Sequence, residues 1–186
     1  MNPHPTHPCA TCAFYRQSVW QPVQNAAISI LNRSFARQDL AEGAVLFEQG
    51  SKNRAVYCVS KGLIALRSRQ ISGRSTLLRL AYPGEIIGYR SFLGDGLHQT
   101  EAQALLPSRV CVVPLASARR MIEANPAVLM RFTARCVEAI DSSHARIIAA
   151  AGVSNKQRLA EILLQLMQHH GERNGEDLPM RLPLSR

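Results

Sequence analysis

The sequence predicts an α+β fold: a small antiparallel β-roll of the jelly-roll (double-stranded β-helix) kind, followed by one long helix. Three observations carry that prediction. Eight of the 11 glycines fall between Gly43 and Gly96. Within that zone Gly50, Gly62, Gly73 and Gly84 recur every 11 or 12 residues, with short β-branched and apolar runs between them, which is the spacing of hairpins in a small barrel or roll. After Pro114 the pattern becomes helical, and from Ala127 to Ala151 neither glycine nor proline interrupts it,.

Each element follows in order. The runs Ala44–Glu48, Ala55–Ser60, Leu63–Arg69 and Ser75–Leu80 read as strands, and Thr100–Leu106 and Arg109–Val113 close the roll. Leu115–Ala124 reads as a short helix. Asn125-Pro126 then restarts a helix, because Asn caps and Pro suits the first helical position. The ladder Leu129, Thr133, Cys136, Ile140, Ser143, Ile147 alternates steps of four and three, which is a heptad seam. A helix of this length overhangs a small roll, so the seam predicts a two-fold homodimer. Phe132, Val137 and Ile148 lie beside the seam, placed to cover the roll. Gly152 ends the helix and Ser154 caps the next, whose apolar face is Leu159, Ile162, Leu163, Leu166 and Met167,. Leu178–Leu184 reads as the start of a strand. The boundaries are 1–36 for an N-terminal Cys/Pro segment and helix, 37–124 for the roll, 125–152 for the dimer helix, and 153–186 for a linker helix leading into a further domain.

Composition narrows the class. With 46% apolar residues in 186 the chain can bury a core,. No apolar run reaches the ~18 residues of a membrane span, and the start Met-Asn-Pro-His-Pro lacks a secretory apolar core,. Five cysteines, an odd number, argue against a disulfide scaffold and for the reducing cytoplasm,. The net charge of +9 points to a polyanion partner,. Its excess sits in residues 43–124, where 11 cations face 5 anions.

Several motifs are shared with a known family. Gly43-Ala-Val-Leu-Phe-Glu-Gln-Gly50, Val56-Tyr57, Gly62-Leu-Ile64, Pro83-Gly84-Glu85-Ile-Ile-Gly88, Val110-Cys111-Val-Val-Pro114 and Lys156-Gln-Arg158-Leu-Ala160 resemble, in order, the CRP/FNR transcription regulators over residues 38–186. The resemblance implies a cyclic-nucleotide-binding-like roll and a dimerisation helix. It also implies a winged helix-turn-helix, into whose first helix Leu182–Arg186 looks like the lead. None of these 186 residues reads as the recognition helix itself. The chain thus reads as the sensor and dimerisation part of a regulator whose full-length form would meet DNA and RNA polymerase. The alternative is a stand-alone cyclic-nucleotide-binding-like ligand or interaction module.

The resemblance also frames the signal. Its effector cassette falls on Gly84, Glu85, Gly88, Tyr89, Arg90 and Ser91. Members that bind cAMP place a Glu after Ile-Gly for the ribose, and an Arg-Ser or Arg-Thr pair further on for the phosphate. Here Tyr89 and Gln99-Thr100 stand at those places, so cyclic nucleotide is disfavoured. The FNR branch instead carries three N-terminal cysteines and a fourth in the roll, which hold an iron–sulfur cluster. Cys9, Cys12 and Cys111 match three of these, while the remaining position is Ser18 by spacing or Trp20 if aligned on Pro22. His4, His7 or Ser18 can complete the set, with an iron–sulfur cluster or zinc as the ion held. The other readings are a Cys9–Cys12 disulfide and a Pro-rich tail with unused thiols. Cys58 and Cys136 are expected to be buried.

Other classes find little support. A cupin-type enzyme needs several His ligands in the strands, whereas the β region offers His98 alone, and no P-loop, nucleophile elbow or HExxH is present. Arg67, Arg69, Arg74 and Arg79 mark a basic hairpin, read as a solvated face.

Overall fold

The computed structural model describes residues 12–23, 26–152 and 154–170. The expected α+β architecture is present: two four-stranded antiparallel sheets followed by a long helix. The chain divides within that helix into two compact units, 1–134 and 135–186.

In the first unit, a 3-10 turn at Tyr15–Gln17 and helix α1 (Ala26–Ser34) precede the strands. The strands are β1 (Ala36–Leu40), β2 (Val45–Phe47), β3 (Ala55–Lys61), β4 (Ile64–Arg69), β5 (Ser75–Ala81), β6 (Ile86–Ile87), β7 (Glu101–Ala104) and β8 (Ser108–Pro114). A short helix α2 (Tyr89–Leu93) interrupts them, and α3 (Leu115–Ala124) follows. The first sheet runs β1-β8-β3-β6 and the second β2-β7-β4-β5. β1, β6 and α2 are additions to the sequence expectation. Strand alternation turns Tyr57, Val59 and Val110 of the first sheet toward Ile64, Leu66 and Ala102 of the second, and these form one core,.

Two glycines show why the turns take no other residue. Gly62 has φ +87°, and a Cβ there would lie 2.6 Å from Ser108 Cα and 2.7 Å from Pro107 O,. Gly88 has φ +78° and opens α2, where a Cβ would meet Ala55 O at 3.0 Å.

The outer face of the first sheet is covered by α1 and α3. Trp20, Leu31, Met121, Val128 and Phe132 are fully buried in this layer. Trp20 and Phe92 meet Phe132 edge-on, with centroids 5.4 and 5.7 Å away, each pair adding about 0.5–1.5 kcal/mol beyond its buried area. Val19, Trp20, Val23, Ala27 and Leu31 are therefore core residues.

Helix α4 (Ala127–Gly152) starts as expected: the Asn125 side chain accepts from Ala127 N–H at 3.2 Å and donates to Pro22 O. In the second unit, Ser154 caps α5 (Asn155–His170) with Gln157 in a reciprocal box. Ser154 Oγ accepts from Gln157 N–H at 3.4 Å, and Gln157 Oε1 accepts from Ser154 N–H at 3.1 Å,. Phe132 covers the roll as expected, but Val137 and Ile148 are 51% and 70% exposed, contrary to expectation. The anticipated strand at Leu178–Leu184 lies outside the described residues, and among them no helix is long and apolar enough to cross a membrane.

Candidate functional site

The effector cassette is built from β6, α2 and the loop to β7. The Ile86-Ile87-Gly88 run is short and apolar, and the left-handed Gly88 turns the chain into α2. Asn53 Nδ2 donates to Gly88 O at 2.7 Å, and Ser91 Oγ also approaches that carbonyl, at 3.2 Å. Ser91 Oγ lies 3.1 Å from His98 Nδ1. A hydroxyl has one proton; when Ser91 donates it to Gly88 O, His98 Nδ1 must carry the hydrogen between them. The imidazole stacks on Phe47 at 3.7 Å, interplanar angle 7°. Burial lowers the His98 pKa from the ordinary 6.5, holding the ring neutral,.

The six cassette residues thus have different employments. Gly84 faces the side chains of Phe14 and Gln17. Glu85 ion-pairs with Arg79 at 2.5 Å. Gly88 and Ser91 belong to the Asn53–His98 network. Tyr89 is buried and approaches Phe132, centroids 6.5 Å apart. Arg90 is exposed. Further on, Gln99 donates to Asp95 at 3.2 Å, and buried Glu101 pairs with Arg69 at 2.6 Å. Asn53 and His98 carry no recognisable signal in the sequence, since their partners lie far along the chain.

The thiol region lies on the outer face of the first sheet. Strand alternation turns Val110 and Val112 inward, so Cys111 faces outward,. Burial pushes the Cys111 thiol up; hydrogen bonds from Ser60 and Arg37 oppose this, and Cys12 is close enough to push it up further. Two expected ligands, Cys12 and Cys111, are therefore near enough to influence one another electrostatically across 99 residues of sequence. Ser18 Oγ accepts from Trp20 N–H at 3.2 Å, and Trp20 is in the core. Cys9, His4 and His7 lie outside the described residues. Among the described residues no three His, Cys, Asp or Glu side chains are gathered to hold a metal. Donors of the right soft kind are present, but the described set falls short of a cluster's ligands.

Cys58 is half-buried rather than buried, and it stands directly opposite Cys111 in the β3–β8 register. Cys136 is half-buried as well. On the seam, Leu129, Ile140 and Ile147 are 40%, 53% and 65% exposed. Thr133 and Ser143 return their hydroxyls to the carbonyls of Leu129 and Ala139, which leaves their methyl and methylene groups to the helix surface. Of the basic hairpin, Arg69 and Arg79 are held in ion pairs.

Residues 37–125, the roll with α3, match the model of the cyclic nucleotide-binding domain. The relatives are CRP/FNR-type transcription regulators. "Transcriptional regulatory protein btr" of Bordetella pertussis is 29% identical over 134 residues, 72% of this chain and 55% of that protein. A "CRP-like cAMP-activated global transcriptional regulator" of Mycobacterium tuberculosis is 25% identical over 163 residues, 86% of this chain and 71% of that one. Among solved structures, FixK2 from Bradyrhizobium japonicum shares the fold with a TM-score of 0.69 at 18% identity, over 81% of this chain and 73% of that chain. The match to the btr protein thus spans little more than half of its length.

Proposed function

We propose that the chain is the sensory and dimerising region of a CRP/FNR-type regulator, answering to a redox, oxygen or small-molecule signal at the thiol face of the roll. The observation that carries this is that Cys12 is near enough to Cys111 to help raise its pKa. Arg37 stands opposite Cys111 in the β1–β8 register. In its iron–sulfur form the reading uses Cys9, Cys12, Cys111 and one of His4, His7 or Ser18; a bound cluster would supply oxygen-labile redox chemistry. Cyclic nucleotide is disfavoured as the signal. Tyr89 and Gln99, at the positions where the resemblance expects the ribose and phosphate anchors, are turned to Phe132 and Asp95. The whole protein acts in the cytoplasm as a homodimer along Leu129, Thr133, Cys136, Ile140, Ser143 and Ile147, and it meets DNA and RNA polymerase through regions beyond this chain.

Anaerobic purification tests the cluster form. Iron and acid-labile sulfide with a visible absorption band are expected, and both are expected to vanish in C111S. A colourless protein without iron or sulfide would contradict it. Millimolar cAMP is expected to leave the melting temperature unchanged; a clear upward shift would return cyclic nucleotide as the effector.

A further inference from the structure

The pairing of β3 with β8 brings together two thiols that the cluster reading does not use as a pair. Cys58 and Cys111 are direct cross-strand partners, so their side chains leave the sheet on the same face. Both are half-buried thiols. The hydrogen-bond pattern sets their separation. Val59 N–H donates to Glu85 O, on the β6 side, at 2.9 Å. By alternation Cys58 turns its own backbone groups to β8, and Leu115 N–H to Arg54 O at 3.1 Å continues the same phase,. Cys58 and Cys111 are therefore a hydrogen-bonded antiparallel pair, with Cα atoms about 5.5 Å apart. That lies inside the range of about 4.4–6.8 Å that a disulfide spans. The pairs on either side of this one, Tyr57 with Val112 and Val59 with Val110, are apolar.

We infer that Cys58 and Cys111 form a covalent dithiol site on the roll, which exchanges with low-molecular-weight disulfides to give an intramolecular cross-strand disulfide. One thiol loses its proton and attacks the small disulfide, releasing one small thiolate. The second thiol loses its proton and attacks the mixed disulfide, releasing the other. Two electrons pass from the cysteine pair to the small disulfide, which leaves as two thiols. This inference stands without any metal.

The test uses the full chain, reduced and freed of metal by a chelator, then exposed to glutathione disulfide. Remaining thiols are alkylated and the peptides mapped. The expected result is a Cys58–Cys111 linked peptide as the main intramolecular product of either residue, reversed by dithiothreitol. C58S is expected to lose it and to leave Cys111 as a mixed disulfide. Recovery of both residues alkylated, only as mixed disulfides, or with Cys111 linked to Cys12, would overturn the inference. A Cys9→Ser/Cys12→Ser/Cys136→Ala variant keeps both strand residues and covers the case in which C58S does not fold. Its two thiols are expected to fall to none without a disulfide-linked dimer; persistent thiols or a linked dimer would overturn the inference.

Discussion

The β-roll and the helical region after it treat apolar side chains in opposite ways. In the first unit Trp20, Leu31, Ile64 and Phe132 are at most 1% exposed. In residues 135–170 none of the described apolar side chains is buried, and Val137, Ile140, Ile147, Ile148 and Leu164 are 51–70% exposed. The roll satisfies its own core. The helices present a surface whose burial has to come from elsewhere, because exposed apolar patches of this kind mark association sites. A roll that is complete and a helix surface that is not are what the proposed dimeric sensor requires.

Substitutions that separate the two regions sharpen this contrast. The largest effect is expected from F132A, which opens a cavity where Trp20, Tyr89 and Phe92 converge. About 3–5 kcal/mol of roll stability should be lost in urea unfolding. G62A follows, at about 2 kcal/mol or more, since a left-handed backbone and a clash with the Ser108 backbone combine,. I140E is expected to act on the other region. Removing one apolar contact worth about 1.5–3 kcal/mol should weaken self-association at least about tenfold, with the roll's unfolding midpoint unchanged. A drop in roll stability with intact association would break the contrast.

The smallest expected effect is a pH dependence centred on His98. Its native pKa is lowered by burial, so the unfolded chain takes up the proton first as pH falls. The stability it contributes is full above the ordinary value of 6.5 and declines as pH drops from there toward the lowered native value,. The stability of H98Q, measured by urea unfolding, should follow pH less steeply over that interval.

Much of the roll was legible because turn glycines and alternating strands are local signals. β3, β4, β5 and β8 lie within a residue or two of their expected limits. β1 was not, since Arg37, Gln38 and Asp39 form a polar edge strand whose pairing with β8 is long-range. β6 is two residues long and α2 barely more than one turn, too short to show a period. In the candidate site, the family resemblance singled out Cys12 and Cys111 before any geometry. Alternation places Cys58 on a face, but only the three-dimensional packing shows that this face is half-open and that Cys111 stands opposite. Trp20 lies in a segment rich in polar and turn residues, and nothing local announces that α4 will bring Phe132 onto its ring.

The measurement that bears most directly on the contrast is the solution mass of the chain by sedimentation equilibrium over a range of concentrations. One copy is 20.5 kDa. The account predicts a reversible species of twice that mass, lost in I140E while the roll stays folded. A mass of 20.5 kDa at every concentration would contradict it.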